Sequence, residues 1–389
     1  MVKNMEENLK KNRKKKRKKR PKKFWVMIAE LVAVLLLLIV LDVACAAGGI
    51  IGKFPFIDFD KSDAGINENL SQSSIKAMEG YTNIALFGLD GRNQNNIEDA
   101  HSDSIMIASI NNKTHEIKLV SVYRDTTLNI GAQYGDKKFQ GINKANSAYA
   151  HGGIKNAVQM LNSNLDLNIE DFVAVNWQAV TDTIDALGGI ELDITKEEVQ
   201  YINFYINEMN GIMESKSKNI WTAGKQKVDG LLATAYCRIR YTAGNDFRRA
   251  SRQRIVLEAM LNKAKQADLG TLTGIINDVA PYISTRCDVG EMIDLAKEVK
   301  SYSLAATAGF PTKLTTYDLV GSCVVPLSLT TNVSELHKFL FENEEYEPSD
   351  VVESISETIT KLTGFDENSS TDYDMTDYQD TVGKDNAFK

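Results

Sequence analysis

Three apolar stretches decide the predicted fold: NIALFGLD (83–90), DSIMIASI (103–110) and EIKLVSVY (116–123). Each is short, apolar and bounded by polar or turn residues, a pattern typical of buried strands. A turn at Asn111–Lys113 joins the second and third strands into a hairpin, which pairs Ile110 with about Lys118. Antiparallel geometry then places Asp103 and Arg124 at the same end of the hairpin.

Helical and strand patterns alternate over the following residues. We expect a Gly-Gly loop and a helix within residues 144–165, a strand at 172–177, and a helix capped by Gly188–Gly189 before a further strand. Residues 196–220 form a polar, helix-like insertion, and VDGLLATAYCRIRY (228–241) is interpreted as a helix followed by a strand. This alternation predicts an α/β fold with a mixed central sheet and flanking helices.

The Arg-rich stretch YCRIRYTAGNDFRRASRQR (236–254) is the candidate ligand-binding segment. As a strand, its first part places Arg238 and Arg240 on one face. A helix is expected from Asp246 onward, with Asp246 as its N-cap. Guanidinium groups match phosphate oxygens, and a helix N-terminus also favours anions; for an isolated run of arginines, the alternative is a solvated basic face. One face of this helix would carry Arg249, Arg252 and Gln253.

Other charged residues near the predicted strand ends are candidates for the same site. Asp90 and Asp103 could hold Mg²⁺, which proteins bind through one or two carboxylates together with substrate phosphates; the alternative is a pair of ordinary loop acids. Arg124 beside Asp103 is either a salt-bridge partner or a phosphate ligand, and Lys144 is either a further cation of the site or a surface lysine. The sequence has no zinc-ligand spacing, no nucleophile elbow and no P-loop.

The N-terminal residues predict a membrane anchor. Residues 1–23 contain 13 lysines and arginines against two glutamates, and residues 24–51 form an apolar run whose only charges are Glu30 and Asp42. This run is long enough to span a bilayer, and the basic block indicates a cytoplasmic N-terminus with the rest of the chain outside. A cleavable signal peptide is the alternative, but its apolar region would be shorter.

The exported part is acidic and contains three cysteines. With the anchor included, residues 24–389 carry 32 basic and 50 acidic residues, which argues against general nucleic-acid binding. An extracellular location permits disulfides, so we predict that Cys287 pairs with Cys323. Cys237 is expected to be a small buried apolar residue.

Seven sequence blocks, in order, resemble the LytR-CpsA-Psr family. The resemblance covers roughly residues 81–265 and implies an outward-facing membrane enzyme of a Gram-positive-type bacterium. The blocks are NIALFGLDGR (83–92), HSDSIMI (101–107), KLVSVYRDT (118–126), KANSAYAHGG (144–153), DALGGIELDI (185–194), VDGLLATAYCRIR (228–240) and DFRRASRQR (246–254).

The resemblance implies a transferase that moves a glycopolymer, such as teichoic acid or capsule, from a polyprenyl-pyrophosphate carrier to peptidoglycan. Asp90 and Asp103 are the implied ligands of Mg²⁺ or Mn²⁺, and Asp246 is expected to position the arginines. Arg124, Asp246, Arg249 and Gln253 are the implied catalytic residues. The implied pyrophosphate ligands are Arg124, Lys144, Arg238, Arg240, Arg249 and Gln253.

The predicted organisation along the chain has six parts. They are a basic cytoplasmic segment (1–23), a transmembrane helix (24–51), an extracellular stalk (52–80), a catalytic domain (81–265), a C-terminal α/β extension (266–345) and an acidic, mostly disordered tail (346–389).

Two alternative functions use the same sequence features. A pyrophosphatase would act on the same lipid-linked pyrophosphate with water as acceptor. A non-enzymatic, membrane-anchored regulator would bind a phospholipid or wall polymer through the basic residues. No helix-turn-helix pattern supports a DNA-binding regulator, and only an assay with and without a glycan acceptor separates the two enzymes.

Overall fold

The structure is a computed structural model that describes residues 57, 59–90, 101–134, 137–213, 215–242, 244–286 and 299–370. The predicted membrane anchor at 24–51 lies outside these residues. Among the residues described, none of the helices has the length and apolar character needed to cross a bilayer.

A mixed sheet of six strands forms the centre of the fold, in the order β10-β3-β2-β1-β6-β9. β1 pairs antiparallel with β2 and parallel with β6, so the sheet combines both orientations, as predicted. The six strands are β1 (Tyr81–Asp90), β2 (His101–Asn111), β3 (Glu116–Val122), β6 (Asp171–Asn176), β9 (Ile283–Thr285) and β10 (Ser303–Phe310). Three two-stranded sheets pair β4 (Thr127–Asn129) with β5 (Ile142–Lys144), β7 (Ile190–Ile194) with β8 (Gly224–Val228), and β11 (Leu314–Asp318) with β12 (Ser322–Pro326).

Helices cover both faces of the central sheet. The described helices are α1 (Gln72–Met78), α2 (Ser147–Leu165), α3 (Trp177–Ala186), α4 (Lys196–Ile212), α5 (Gly230–Arg238), α6 (Asn245–Ala264), α7 (Leu269–Val279), α8 (Leu329–Phe341) and α9 (Asp350–Thr363). One core cluster joins alternate residues of β1, such as Phe87 and Leu89, to α2, α8 and α9. A second cluster joins α3, α4, α5 and α6 to the antiparallel pair β7–β8.

The predicted β2–β3 hairpin forms. Ile110 pairs with Ile117, one residue from the expected Lys118. The Asn111 side chain accepts hydrogen bonds from the backbone amides of Lys113 and Thr114, which closes the turn.

The β1–β2 pair contains a β-bulge beside the candidate site. Gly88 pairs with Ser104 while Leu89 pairs with Ser102, so Asp103 is an extra residue with no partner on β1. The strands approach closely here, because a Cβ on Gly88 would lie 2.9 Å from that of Ser104. A bulge of this kind bends the strand and re-aims the side chain of its extra residue.

Two terminal predictions are corrected. Phe59, Ala64 and Met78, in the predicted stalk, belong to the core, so the ordered fold starts before Tyr81. In the predicted disordered tail, α9 packs Val352 and Ile359 into the same core because its apolar residues recur at helical spacing. Residues 371–389 lie outside the described part of the chain.

Candidate active site

The arginine clamp, defined here as Arg124, Arg240 and Arg249, comes from three different segments. Arg124 follows β3, Arg240 lies in the loop after α5, and Arg249 lies in the second turn of α6. The bulge residue Asp103 sits at their centre. Its carboxylate accepts from Arg124 at 2.7 Å and from Arg240 at 2.9 Å, and it lies 3.8 Å from Arg249. The sequence prediction that Asp103 and Arg124 share one end of the hairpin is therefore confirmed.

Asp246 contacts the same three guanidinium groups. Its carboxylate lies 3.5 Å from Arg124, 3.6 Å from Arg240 and 3.3 Å from Arg249. Each of the two acids thus faces every arginine of the clamp. This arrangement fixes the guanidinium groups in place before any ligand binds.

Burial and the charges of opposite sign nearby shift the pKa values of Asp103 and Arg249 in opposite directions. Burial alone would raise the pKa of Asp103, but the charges of Arg249, Arg124 and Arg240 outweigh it and lower that pKa. Burial lowers the pKa of Arg249 to about 10, and the neighbouring arginines add to this effect against the opposing charges of Asp246 and Asp103. Arg249 therefore remains charged at neutral pH, although its side chain is only 5% exposed.

Four atoms at the clamp are buried without a hydrogen-bond partner among the described residues. Nε of Arg124 and Oδ1 of Asp246 still lie within 3.3–3.6 Å of oppositely charged groups. The other two, Nε of Arg249 and Nε2 of Gln253, are donors with no such contact among the described residues. Buried donors are normally satisfied, and an unsatisfied one costs roughly 1–3 kcal/mol. Both donors belong to residues that line cavities at this site. An anionic or polar ligand would satisfy them.

Three cavities meet at Gln253. One of about 240 Å³ is lined by the clamp acids, Ser121 and Thr316. A second, of about 310 Å³, runs past Arg240 towards the aromatic residues of α4. The third, of about 70 Å³, is apolar and lies between the sheet and α6. It is lined by residues including Leu86, Met106, Val173, Trp177, Val256 and Met260.

Lys144 and Arg238 lie outside the central ring. The Nζ atom of Lys144 is 3.2 Å from Asp125, whose other oxygen is 3.4 Å from Nε of Arg124. Arg238 lies over the ring of Tyr205 at 5.1 Å and 3.6 Å from Glu208, and it lines the cavity that reaches the clamp. The structure thus brings both residues near the clamp without placing them in it. Asp125 was not identified from the sequence, although its position directly after Arg124 was a usable signal.

Two local predictions in the Arg-rich stretch are wrong. Residues up to Arg238 form helix α5 rather than a strand, because residues 230–237 are all buried and offer no polar face from which to recognise the helical period. Helix α6 begins one residue before Asp246, with Gly244 as its N-cap and no side-chain cap. Asp246 therefore lies inside the first turn and is free to face the arginines.

The Arg-rich stretch is not a solvated face. Arg252 and Arg254 are both buried at 1% exposure. Arg252 donates to Glu198 at 2.7 Å, to the carbonyl of Ile239 and to the hydroxyl of Thr242. The side chain of Arg252 therefore points away from the face predicted for Arg249 and Gln253, and it links α6 to α4 through Glu198.

The predicted metal ligands are only partly described. The backbone of Asp90 ends β1 opposite His101, two residues before Asp103, but its side chain lies outside the described atoms. Within the described part of the chain, no group of three or more metal-binding side chains occurs. Among the described side chains, the clamp arginines and Lys144 face Asp103, Asp125 and Asp246, which leaves a net charge of about +1. A pyrophosphate diester would add about two negative charges, and a divalent cation would offset the remainder.

The predicted disulfide stays a prediction, because Cys287 lies outside the described residues. Cys323 and Cys237 are both buried, and neither has a disulfide partner among the described residues. Cys323 donates to the carbonyl of Gly321 at 3.2 Å and lines the clamp cavity. Burial raises the pKa of Cys237 to about 12, which agrees with its predicted role as a small apolar residue.

Comparison with known proteins identifies the family. The LytR_cpsA_psr family model matches residues 58–316, so the chain belongs to the LytR-CpsA-Psr family. The chain is 27% identical over 233 residues to the polyisoprenyl-teichoic acid–peptidoglycan teichoic acid transferase TagU of Enterococcus faecalis, covering 59% of this chain and 69% of that protein. It is 26% identical over 229 residues to TagT of Bacillus subtilis, covering 56% and 66% of the two chains.

A solved structure has the same fold. TagT with bound octaprenyl pyrophosphate lipid superposes with a TM-score of 0.51 at 21% identity, covering 74% of this chain and 99% of that one. The two sequence matches span about two thirds of the relatives' lengths. The chain therefore shares the fold of TagT as well as belonging to the LytR-CpsA-Psr family.

Proposed function

We propose that this protein is a membrane-anchored transferase that moves a glycopolymer from a polyprenyl-pyrophosphate carrier to peptidoglycan on the outer side of the membrane. The observation that carries the proposal is the arginine clamp, which adjoins an apolar cavity through Gln253. The clamp matches the charge of a pyrophosphate, and the adjoining apolar cavity, at about 70 Å³, would have to widen to receive a prenyl chain. The names of the related TagU and TagT proteins give the same reaction class.

In the proposed reaction, the clamp binds the pyrophosphate oxygens and stabilises the charge that develops on the leaving phosphate. A hydroxyl oxygen of the acceptor forms a bond to the phosphorus nearest the glycan, and the bridging P–O bond breaks. Polyprenyl phosphate leaves and carries the hydroxyl proton. Asp103 and Asp246 hold the guanidinium groups in position, so little reorganisation is needed as the charge moves.

Asp90 and Asp103 are the residues that would hold Mg²⁺ in this proposal. When bound, the ion supplies positive charge at the pyrophosphate. Asp103 would then share its carboxylate between the ion and the clamp. Arg124 and Arg240, which contact Asp103 at present, would turn part of their hydrogen-bonding capacity to the phosphate oxygens.

The test uses the full-length protein in nanodiscs with a lipid-linked glycan, with and without peptidoglycan. Arg240→Ala should lower transfer roughly ten- to hundredfold, because one charge-assisted contact contributes about 1.5–3 kcal/mol. Arg240→Lys should not restore it, since an ammonium group cannot replace a bidentate guanidinium. Chelation with EDTA should also lower transfer, and added Mg²⁺ should restore it.

Arg248→Ala is the matched control, because this half-buried neighbour lies outside the clamp. Equal losses in the Arg240 and Arg248 variants would refute the clamp. Release of polyprenyl phosphate and glycan phosphate without any acceptor dependence would instead identify a pyrophosphatase.

A further inference from the structure

The cavity of about 310 Å³ beside the clamp combines aromatic rings with charged side chains. We call it the aromatic cavity, after the four rings that line it, Trp177, Phe204, Tyr205 and Tyr241. Two of these rings are largely open to solvent, since Phe204 is 60% exposed and Tyr241 is 65% exposed. Exposed rings that share one concave site are typical of a ligand pocket, whereas single exposed apolar residues are ordinary.

Each of the two exposed rings packs against a second ring from α4. Phe204 meets Tyr205 edge-on, with the ring centroids 5.4 Å apart, and the ring centroid of Tyr241 lies 6.1 Å from that of Tyr201. Tyr205 is only 7% exposed, and the guanidinium of Arg238 lies over its ring at 5.1 Å. These contacts restrain the positions of both exposed rings before a ligand binds.

Hydrogen-bonding groups of both kinds surround the rings. Glu208 supplies an exposed carboxylate acceptor 3.6 Å from Arg238, and Arg238 and Arg240 supply donors. Two further lining residues carry buried donors without a partner among the described residues, namely Nε1 of Trp177 and Nε2 of Gln253. A ligand that carries several hydroxyl or amide groups can pair with such donors and acceptors together, whereas an alkyl chain cannot.

The neighbouring apolar cavity of about 70 Å³ has a different composition. Leu86, Val173 and Met260 are among the residues that line it, and none of the residues described as lining it is charged. A prenyl chain placed in the aromatic cavity would remove water from Glu208 and Arg238 without replacing it, which is costly. The apolar cavity is therefore the better match for the prenyl chain, and the aromatic cavity suits a polar ligand with an apolar face.

The aromatic cavity opens directly onto the clamp. Arg240 and Arg249, two of the three clamp arginines, line it together with Asp103. Tyr241 follows Arg240 in the chain, so one of the exposed rings is adjacent to a clamp arginine. A group bound in this cavity would lie beside the pyrophosphate, where the donor glycan and the acceptor glycan of the proposed reaction both have to reach.

We propose that the aromatic cavity binds a sugar ring of one of these two glycans, with Phe204 and Tyr241 against the ring. A pyranose has an apolar face of C–H groups and an edge of hydroxyl groups, which matches this mixture of aromatic and charged side chains. The rings pack against the C–H face, and Glu208 and Arg238 pair with the hydroxyl groups. This inference rests on the proposed function, because the clamp would hold the phosphate at which the two glycans are joined.

The first experiment measures how much a sugar adds to the affinity for a prenyl pyrophosphate. Calorimetry on the full-length protein in nanodiscs compares a prenyl pyrophosphate with the same compound carrying one N-acetylhexosamine, and the ratio of the two dissociation constants isolates the sugar. In the double variant Phe204→Ala, Tyr241→Ala, this ratio should fall roughly three- to tenfold, since two ring contacts are lost. Affinity for the sugar-free compound should match that of the native protein.

The second experiment tests the acceptor side by titrating soluble peptidoglycan glycan strands into the same two proteins. Weaker binding confined to the sugar-bearing pyrophosphate would assign the aromatic cavity to the donor glycan. Weaker binding confined to the glycan strands would assign it to the acceptor glycan.

Three single variants serve as controls. Trp221→Ala removes an aromatic side chain that is 81% exposed but does not line the aromatic cavity, so it should leave all of these affinities unchanged. Phe204→Tyr keeps a flat ring and should retain the contribution of the sugar. Phe204→Leu keeps apolar area without a flat face and should bind the sugar as poorly as Phe204→Ala.

The outcomes separate this inference from the proposed function. Equal losses for the sugar-bearing and sugar-free pyrophosphates would assign the rings to the lipid chain or the bilayer and would overturn the sugar site. Native binding of both glycans by the double variant would also overturn it. If the native protein binds neither pyrophosphate, the proposed function fails, and the glycan strands then decide the inference alone: strand binding that the double variant loses supports it, and any other result overturns it.

Discussion

Two buried arginines one turn apart on α6 differ in how completely the protein satisfies them. Arg252 uses Nε and both terminal nitrogens on Glu198, Ile239 and Thr242, and its guanidinium also faces the ring of Tyr236. Arg249 donates to the carbonyl of Asp103, while its Nε atom has no partner within the described structure. We call Arg252 the closed arginine, because protein groups accept hydrogen bonds from all three of its side-chain nitrogens. We call Arg249 the open arginine, because its Nε atom lacks a partner within the described structure and the residue lines a cavity.

This difference separates a structural arginine from a ligand-binding one, although both are about equally buried. Burial removes a guanidinium from water in either case, so the hydration it loses must be replaced. Around Arg252 the protein supplies the replacement. Around Arg249 it supplies only part, and a bound phosphate would supply the rest.

The largest expected effect is on folding, at the closed arginine. Glu198→Gln leaves the buried charge of Arg252 without its anion and should lower the free energy of unfolding by about 3–5 kcal/mol. The measurement is the midpoint of thermal unfolding of the full-length protein. Glu197→Gln removes an exposed charge from the same turn of α4 and should change that midpoint little. Equal stability of the two variants would show that the fold does not depend on the ion pair between Glu198 and Arg252.

A smaller effect is expected on ligand binding, at the open arginine. Arg249→Ala should weaken binding of a polyprenyl pyrophosphate analogue roughly ten- to hundredfold, from about 1.5–3 kcal/mol for a charge-assisted contact. Its unfolding midpoint should fall far less than that of Glu198→Gln, because an incompletely satisfied buried cation is removed. Titration of the analogue by calorimetry, beside a thermal melt, measures both. Native affinity in the variant would contradict the role of Arg249 as a ligand.

The smallest expected effect is on the stability of the folded protein at acid pH. Because the folded-state pKa of Asp103 is lowered from its ordinary value of 3.8, its carboxylate stabilises the fold fully above that value. This contribution is lost as the pH falls through the lower folded-state pKa, where protonation releases the clamp arginines. Asp103→Asn should remove that part of the pH dependence of stability, which thermal melts between pH 5 and pH 2 can detect. An unchanged acid profile would show that the clamp carboxylate is not thermodynamically coupled to folding.

Four strands of the central sheet, β1, β2, β3 and β6, could be predicted because their local sequences are typical of strands, whereas β9 and β10 were not located from the sequence. The β1 and β2 sequences are continuous apolar runs that end in turn residues, and antiparallel pairing alone then brings Asp103 to Arg124. The closing Gly188–Gly189 pair likewise identified the end of α3, since both residues have positive φ. These elements carry their own signals within a few residues.

The end of α5, the bulge at Asp103 and the surroundings of Arg252 depend on tertiary contacts that leave no signal in the local sequence. Helix α5 has no polar face, so the alternating arginines of YCRIRY were interpreted as a strand pattern. The bulge that aims Asp103 is a property of strand pairing and not of either strand. The closed environment of Arg252 depends on Glu198, which is far away in sequence and was predicted only as part of a polar insertion.

The bulge at Asp103 arises from one extra residue in β2. The length of this strand, as well as its composition, therefore determines which side chain reaches the clamp. Deleting Ser102 would let β1 and β2 pair without interruption, and the sheet would gain a regular ladder. The same repair would reverse the side to which the residue at the clamp centre projects, because neighbouring positions on a strand point to opposite faces. A single-codon deletion at this point is therefore expected to leave the three arginines with Asp246 as their one shared anion among the two that now face them.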